Sequence, residues 1–183
     1  MRKDFGAKAI LYPMPVLIIG TYNEDGTPNG MNAAWGGICG ADKIIIDLGT
    51  HKTTENIMRN KEFTVSVADA GHVVEADYIG IVSGNNVPDK LAKAGLHTEK
   101  SSNVNAPIIT EFPITLECKL LRATEDGIVG KIVNVCADEK VLDENGNIDP
   151  NKVDAITYDP SHHTYIKLGE TVGNAFSDGK KLI

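Results

Sequence analysis

The chain has 183 residues, 42% of them hydrophobic and 23% charged, with a formal net charge of −7. That suits one domain with a real core, and it argues against a general nucleic-acid binder, which needs a basic face to displace counterions. No apolar run approaches the roughly 18 residues that span a bilayer, and Asp4, Pro13 and Pro15 leave no room for a secretory apolar region, so the expectation is a cytoplasmic protein.

Pro15 to Tyr22 is rich in branched aliphatics and too short for a typical helix; it reads as a buried strand. Asp25-Gly26 supplies the positive φ of a tight turn. The chain then returns from Met31 to Cys39, where Gly36, Gly37 and Gly40 mark a bulge or a close approach to the backbone. Lys43 to Leu48 is the next strand. A short helix follows from Thr53 to Asn60, with Thr53 or Thr54 as its cap. Glu62 to Ala68 alternates Phe63, Val65 and Val67 with polar residues, as a half-buried strand does. Gly71 to Ile81 has helical spacing, and Pro88 and Gly95 bracket another short helix over Asp89 to Ala94.

From Ile114 the period becomes two. Ile114, Leu116, Cys118 and Leu120 face one way, Thr115, Glu117 and Lys119 the other. Glu125-Asp126-Gly127 turns the chain into a return strand, Ile128 to Ala137. Cys118 and Cys136 sit on apolar strand positions and read as core. With Cys39 they are odd in number and far apart, with no CxxC, so neither a disulfide framework nor a zinc ribbon is expected. Asp143 to Asn151 is a polar loop, Tyr165 to Leu168 a last strand, and Gly169 to Ile183 a hooked loop that packs on the body. Strands outnumber helices and hairpins outnumber βαβ units. That pattern favours a mainly β fold, a closed antiparallel barrel with short peripheral α-helices.

Two features between Asn29 and Asn56 point to ligand chemistry. Small residues around Trp35 would let a flat ligand lie close to backbone, with Asn32 at hand for a ring edge. Lys52, Thr53 and Thr54 at a helix start suit a phosphate. Each has a plainer reading: a tryptophan in the core, and an ordinary capped helix with a solvated lysine. Taken singly, the plainer readings are favoured. Ser83-Gly84-Asn85-Asn86 with Lys90 is either a second anion contact or a surface loop. His162 and His163 are neighbours that point to opposite faces of a strand, so no metal site is expected there. HExxH, GxSxG and a P-loop are all absent, and no catalytic constellation is expected.

Together these stretches resemble the flavin reductase-like, FMN-binding split-barrel family, close to its flavoredoxin branch. The likeness is carried by Pro15–Gly20 with the Asp25-Gly26 turn, by Asn29–Cys39, by His51–Ile57 leading to Glu62–Val65, by Asp77–Gly84 with Asp89–Leu91, and by Leu168–Phe176. The resemblance implies an antiparallel split β-barrel acting as a homodimer, with FMN near the dimer interface. Carried over by position, Asn32, Ala33, Ala34 and Trp35 run along the isoalloxazine, and Lys52, Thr53 and Thr54 hold the phosphate. Ser83, Gly84 and Lys90 lie near the flavin, from the same or the partner subunit. It also implies that FMN takes a hydride from NADH or NADPH and that electrons leave to free flavin, a ferric complex or a partner protein. A carrier without a nicotinamide site and a non-catalytic binding module are the alternatives. The sequence departs from the family at Asp42-Lys43, where a proline-containing turn is expected, and at Ser66, where Asn is frequent.

Overall fold

In the computed structural model, which describes residues 1–183, the regular elements are eleven strands and four short α-helices. In chain order they are β1 (Leu17–Tyr22), β2 (Pro28–Ala33), β3 (Gly36–Gly40), β4 (Lys43–Ile46), α1 (Lys52–Asn60), β5 (Glu62–Val67), α2 (Val73–Ile81) and α3 (Lys90–Lys93). Then come β6 (Thr98–Lys100), β7 (Pro107–Ile109), β8 (Ile114–Thr124), β9 (Gly127–Ala137), α4 (Pro150–Val153), β10 (Ile156–Asp159) and β11 (Thr164–Lys167). No helix is long and apolar enough to cross a membrane.

The run that opens the fold is apolar throughout because both of its faces are covered. Val16 and Ile18 project into one cluster, with Ala76 and Ile79 of α2, Leu91 of α3 and Ile109 of β7. Leu17 and Ile19 project the other way, against Ile44, Ile46, Ile57, Phe63 and Val65. Alternation along β1 thus joins two cores, one under the helices and one inside the curl of the sheet.

Seven strands pair in the order β2-β1-β5-β8-β9-β4-β3, antiparallel at every step. The ladder curls but does not close, so the closed barrel expected from the hairpins is a split one. The opening has a local origin. Met31 to Cys39 reads as one strand, yet it breaks at Ala34-Trp35 into β2 and β3, which form the two edges of the sheet. The glycines of β3 do accompany a bulge, between Ile38 and Gly40.

Three further expectations change. The polar face of β8 is covered at Thr115 and Glu117, each 1% exposed, though not at Lys119, and the register shifts after Glu117. Glu117 accepts hydrogen bonds from Ser101 Oγ, from Asn103 Nδ2 at 2.8 Å and from Asn134 Nδ2 at 2.5 Å. Burial opposes its ionisation, but the bonds from Ser101, Asn134 and Asn103 outweigh that and hold its carboxyl below the usual range. Ser66 pairs with Thr115 inside the sheet, their hydroxyls 2.8 Å apart. Cys118 is core, whereas Cys136 is only half-buried. The tail from Gly169 does not pack: Val172, Phe176, Leu182 and Ile183 are almost wholly exposed. The polar contacts of Gly169–Ile183 are with the tail itself, such as Asn174 N donating to Asp178 Oδ2 at 2.8 Å.

Candidate functional site

The start of α1 lies one residue earlier than the hydroxyl-cap reading places it. His51 is the N-cap, in extended backbone, and its side chain makes no capping bond. The two threonines are used otherwise. Thr54 Oγ1 donates back to Gly49 O at 2.7 Å, and buried Thr53 Oγ1 accepts from Asn29 Nδ2 at 2.9 Å. The first-turn N–H groups of Lys52, Thr53 and Thr54 are therefore left without a side-chain acceptor, at the end of the helix that carries partial positive charge.

Facing this helix start is the loop that follows α2. A Cβ on Gly84 would lie 2.5 Å from Asn29 Oδ1, so only glycine brings the loop this close to Asn29 and Lys52. The cleft between them measures ≈ 140 Å³ and is lined by His51, Lys52, Thr53, Ser83, Gly84 and Lys90, among others. Lys90 is 3% exposed, and its Nζ donates to Ile79 O at 2.8 Å and Val82 O at 2.9 Å. Two of its three donors thus close the C-terminal end of α2, and burial pushes its ammonium down to about 8.

Met31, His51, Gly80 and Ile81 line both this cleft and a larger neighbouring chamber of ≈ 550 Å³. Asn32, Ala33, Ala34 and Trp35 form one wall, at the split in the sheet. Trp35 is 47% exposed and is not a core residue. Its ring stands 5.9 Å from that of Tyr158, which stands 6.0 Å from Tyr165. Those tyrosines come from the β10–β11 hairpin, which pairs outside the main sheet. Asn32 packs against α2 where Gly80 leaves room, since a Cβ there would sit 2.9 Å from Asn32 Cβ. Asn32 Nδ2 donates to Ala76 O at 3.1 Å and to Tyr165 Oη at 3.3 Å; Tyr165 in turn donates to Asp77 Oδ1 at 2.8 Å. Burial, then the Asp77 carboxylate, pushes the Tyr165 phenol up to about 12. A second apolar cavity, ≈ 530 Å³, opens on the far side of Trp35 against Ile10, Leu11 and Ile38.

Nine of the ten residues singled out in the sequence line these two adjoining cavities: Asn32–Trp35 in the chamber, Lys52, Thr53, Ser83, Gly84 and Lys90 in the cleft. Thr54 does not, because its hydroxyl turns to Gly49. Asn29, His51, Asp77, Tyr158 and Tyr165 were not read as site residues. Asn29 and His51 flank the stretches that were, while the tyrosines are more than a hundred residues away along the chain and carry no local signal.

A family model described as the flavin reductase like domain matches residues 9–163. Among solved structures, the flavoredoxin of Desulfovibrio vulgaris (Miyazaki F) is similar, with a TM-score of 0.94 and 38% identity over 98% of this chain and 100% of that one. The flavoredoxin from Methanosarcina acetivorans superimposes with a TM-score of 0.89 at 28% identity, covering 100% of both chains. The uncharacterized protein YdfE of Bacillus subtilis (strain 168) is 28% identical over 95% of this chain and 93% of its own length.

Proposed function

The chain belongs to the flavin reductase-like domain family, and on that premise we propose that it binds FMN and passes electrons from NADH or NADPH through it to free flavin, a ferric complex or a partner protein. One observation supports this above the others: a chamber of ≈ 550 Å³ shares Met31, His51, Gly80 and Ile81 with a cleft at a helix start that has uncapped N–H groups and a lysine. The donor set there suits a phosphate. The chamber wall of small residues and exposed Trp35 suits a flat ring system.

When bound, FMN supplies the redox chemistry, and the protein supplies binding, orientation and exclusion of water. In this reading Lys52 and the first-turn N–H groups hold the phosphate, with Ser83 and Gly84 closing over it. Lys90 acts indirectly, by fixing the end of α2 against that loop. Asn32 to Trp35 flank the ring, and the tyrosines of the hairpin form the opposite wall. A second copy of the chain fits as partner, because apolar Val133 and Val135 of β9 are 39% and 47% exposed.

A carrier that receives electrons by docking, with no nicotinamide site of its own, is favoured by one feature. The chamber lining contains Asp47 and Asp77 but no Lys or Arg to meet a nucleotide phosphate. Anaerobic mixing separates the two. The reductase reading expects NADH or NADPH to bleach the flavin band of the FMN-saturated protein. Persistence of that band with both nucleotides, together with bleaching by dithionite, would leave the carrier.

A further inference from the structure

We propose that Asp77 and Tyr165 act through Asn32, fixing its amide oxygen as a hydrogen-bond acceptor for a ring N–H of the flavin. The assignment rests on the FMN reading above.

The direction of the chain of bonds is set at its far end. A carboxylate accepts, so the single proton of the Tyr165 phenol goes to Asp77 Oδ1, at 2.8 Å. Toward Asn32 the phenol oxygen can then only accept, and it does so from Nδ2 at 3.3 Å. The second partner of Nδ2 is the backbone carbonyl of Ala76 at 3.1 Å, which also can only accept. Both amide protons are used, and the two acceptors together dictate which end of the amide faces α2. The amide oxygen must face the other way.

That oxygen has no partner in the protein, and the fold contains no buried side-chain oxygen or nitrogen left unbonded. Asn32 lines the chamber, so Oδ1 retains surface there. Asn32 Cβ and Cγ lie close over Gly80, which seats the side chain against α2. With its phenol pushed up to about 12, Tyr165 keeps its proton across the working pH range, and the polarity of the chain does not reverse.

A fixed acceptor reads a donor. Oxidised isoalloxazine offers one ring N–H, at N3; the reduced ring adds one at N5, and a further one at N1 when it is neutral. Tyr165 and Asp77 are positioning residues here, since neither needs to touch the ring for the effect.

The test is a titration of the wild-type protein, Tyr165→Phe, Asp77→Ala, Asn32→Ala and the Asn32→Ala/Tyr165→Phe pair with FMN and with FMN methylated at N3. The midpoint potential of each bound flavin is also measured. Phenylalanine keeps the ring wall beside Tyr158, so folding is not at issue for Tyr165→Phe. Both Tyr165→Phe and Asp77→Ala loosen the hold on the amide, and if the edge read is N3–H, affinity for oxidised FMN should fall by about three- to tenfold, the range for one hydrogen bond. Adding Asn32→Ala to Tyr165→Phe should then cost little more. If the edge read is N3–H, the wild-type preference for FMN over its N3-methyl form shrinks in the variants. If it is N5–H, the midpoint potential moves to more negative values instead. Unchanged affinity, methyl preference and potential in Tyr165→Phe would overturn the assignment while leaving FMN binding intact. Failure of the wild-type protein to bind FMN would overturn the reading beneath it as well.

Discussion

Lys52 and Lys90 both line the phosphate cleft, yet their surroundings give them different work. Lys52 is about a quarter exposed, 3.7 Å from Glu55 Oε2, and free to turn toward an anion. Lys52→Ala should raise the dissociation constant for FMN by about 10- to 100-fold, the equivalent of one charge-assisted bond, and leave riboflavin, which lacks the phosphate, almost unaffected. Fluorescence titration with both flavins checks this; equal losses for the two would place Lys52 elsewhere. Lys90 is buried, and its folded value of about 8 lies below the ordinary 10.5. Between those values the unfolded chain binds more protons than the folded one, so this group's penalty on stability is fully present below pH 8 and is relieved as pH rises toward 10.5. Relative to Lys90→Met, the wild-type protein should gain on the order of 2–3 kcal/mol between pH 7 and pH 10. Paired urea melts at the two pH values measure it, and a difference that does not change with pH would contradict the assignment. Trp35 teaches another lesson at this scale: a lone large aromatic is ordinarily buried, and only the break between β2 and β3 puts this one in a chamber wall.

Among the elements, α2 shows how packing decides the sign of a substitution. In an exposed helix Gly→Ala stabilises by about 0.5–1 kcal/mol. At Gly80 the new methyl would meet Asn32 Cβ at 2.9 Å. Gly80→Ala should therefore destabilise, by about 1–3 kcal/mol as overpacking does, and weaken FMN binding by shifting Asn32. A variant that melts higher than wild type would show that the helix simply yields. Elements whose apolar period matches their burial were legible in the sequence, β1 above all, whereas β5, which reads as half-buried, has Thr64 and Ser66 buried along with Phe63 and Val65. The start of α1 slipped by a residue because the Thr53 and Thr54 hydroxyls are engaged by Asn29 and Gly49, bonds no local pattern reveals. The burial of Thr115 and Glu117 on β8 was hidden for a related reason: Glu117 is satisfied by Ser101 and Asn103 of one loop and by Asn134 of β9. The β10–β11 hairpin was half seen, because Ile156-Thr157-Tyr158-Asp159 alternates over only four residues, too few to stand out as a strand. The ring wall it carries was missed with it.

At the scale of the whole molecule, the groove lies where the sheet fails to close. β2 and β3 are its edges, and the turn between them carries Trp35, so the split and the chamber have one cause. The ends of the chain leave the body uncovered as well, with Phe5 and Leu11 exposed near the start and Val172 and Phe176 in the tail. Together with the apolar face of β9, this much uncovered apolar surface fits a chain that works as a pair. Sedimentation should give twice the mass of one chain at micromolar concentration, and a monomer under those conditions would rule out the homodimer. The most direct test of the account uses the only tryptophan the chain has. Because Trp35 forms a wall of the chamber, stoichiometric addition of FMN to the flavin-free protein should quench its fluorescence, saturating at one FMN per chain. Tryptophan emission that stays unchanged, apart from inner-filter loss, while FMN remains free in solution would contradict the account.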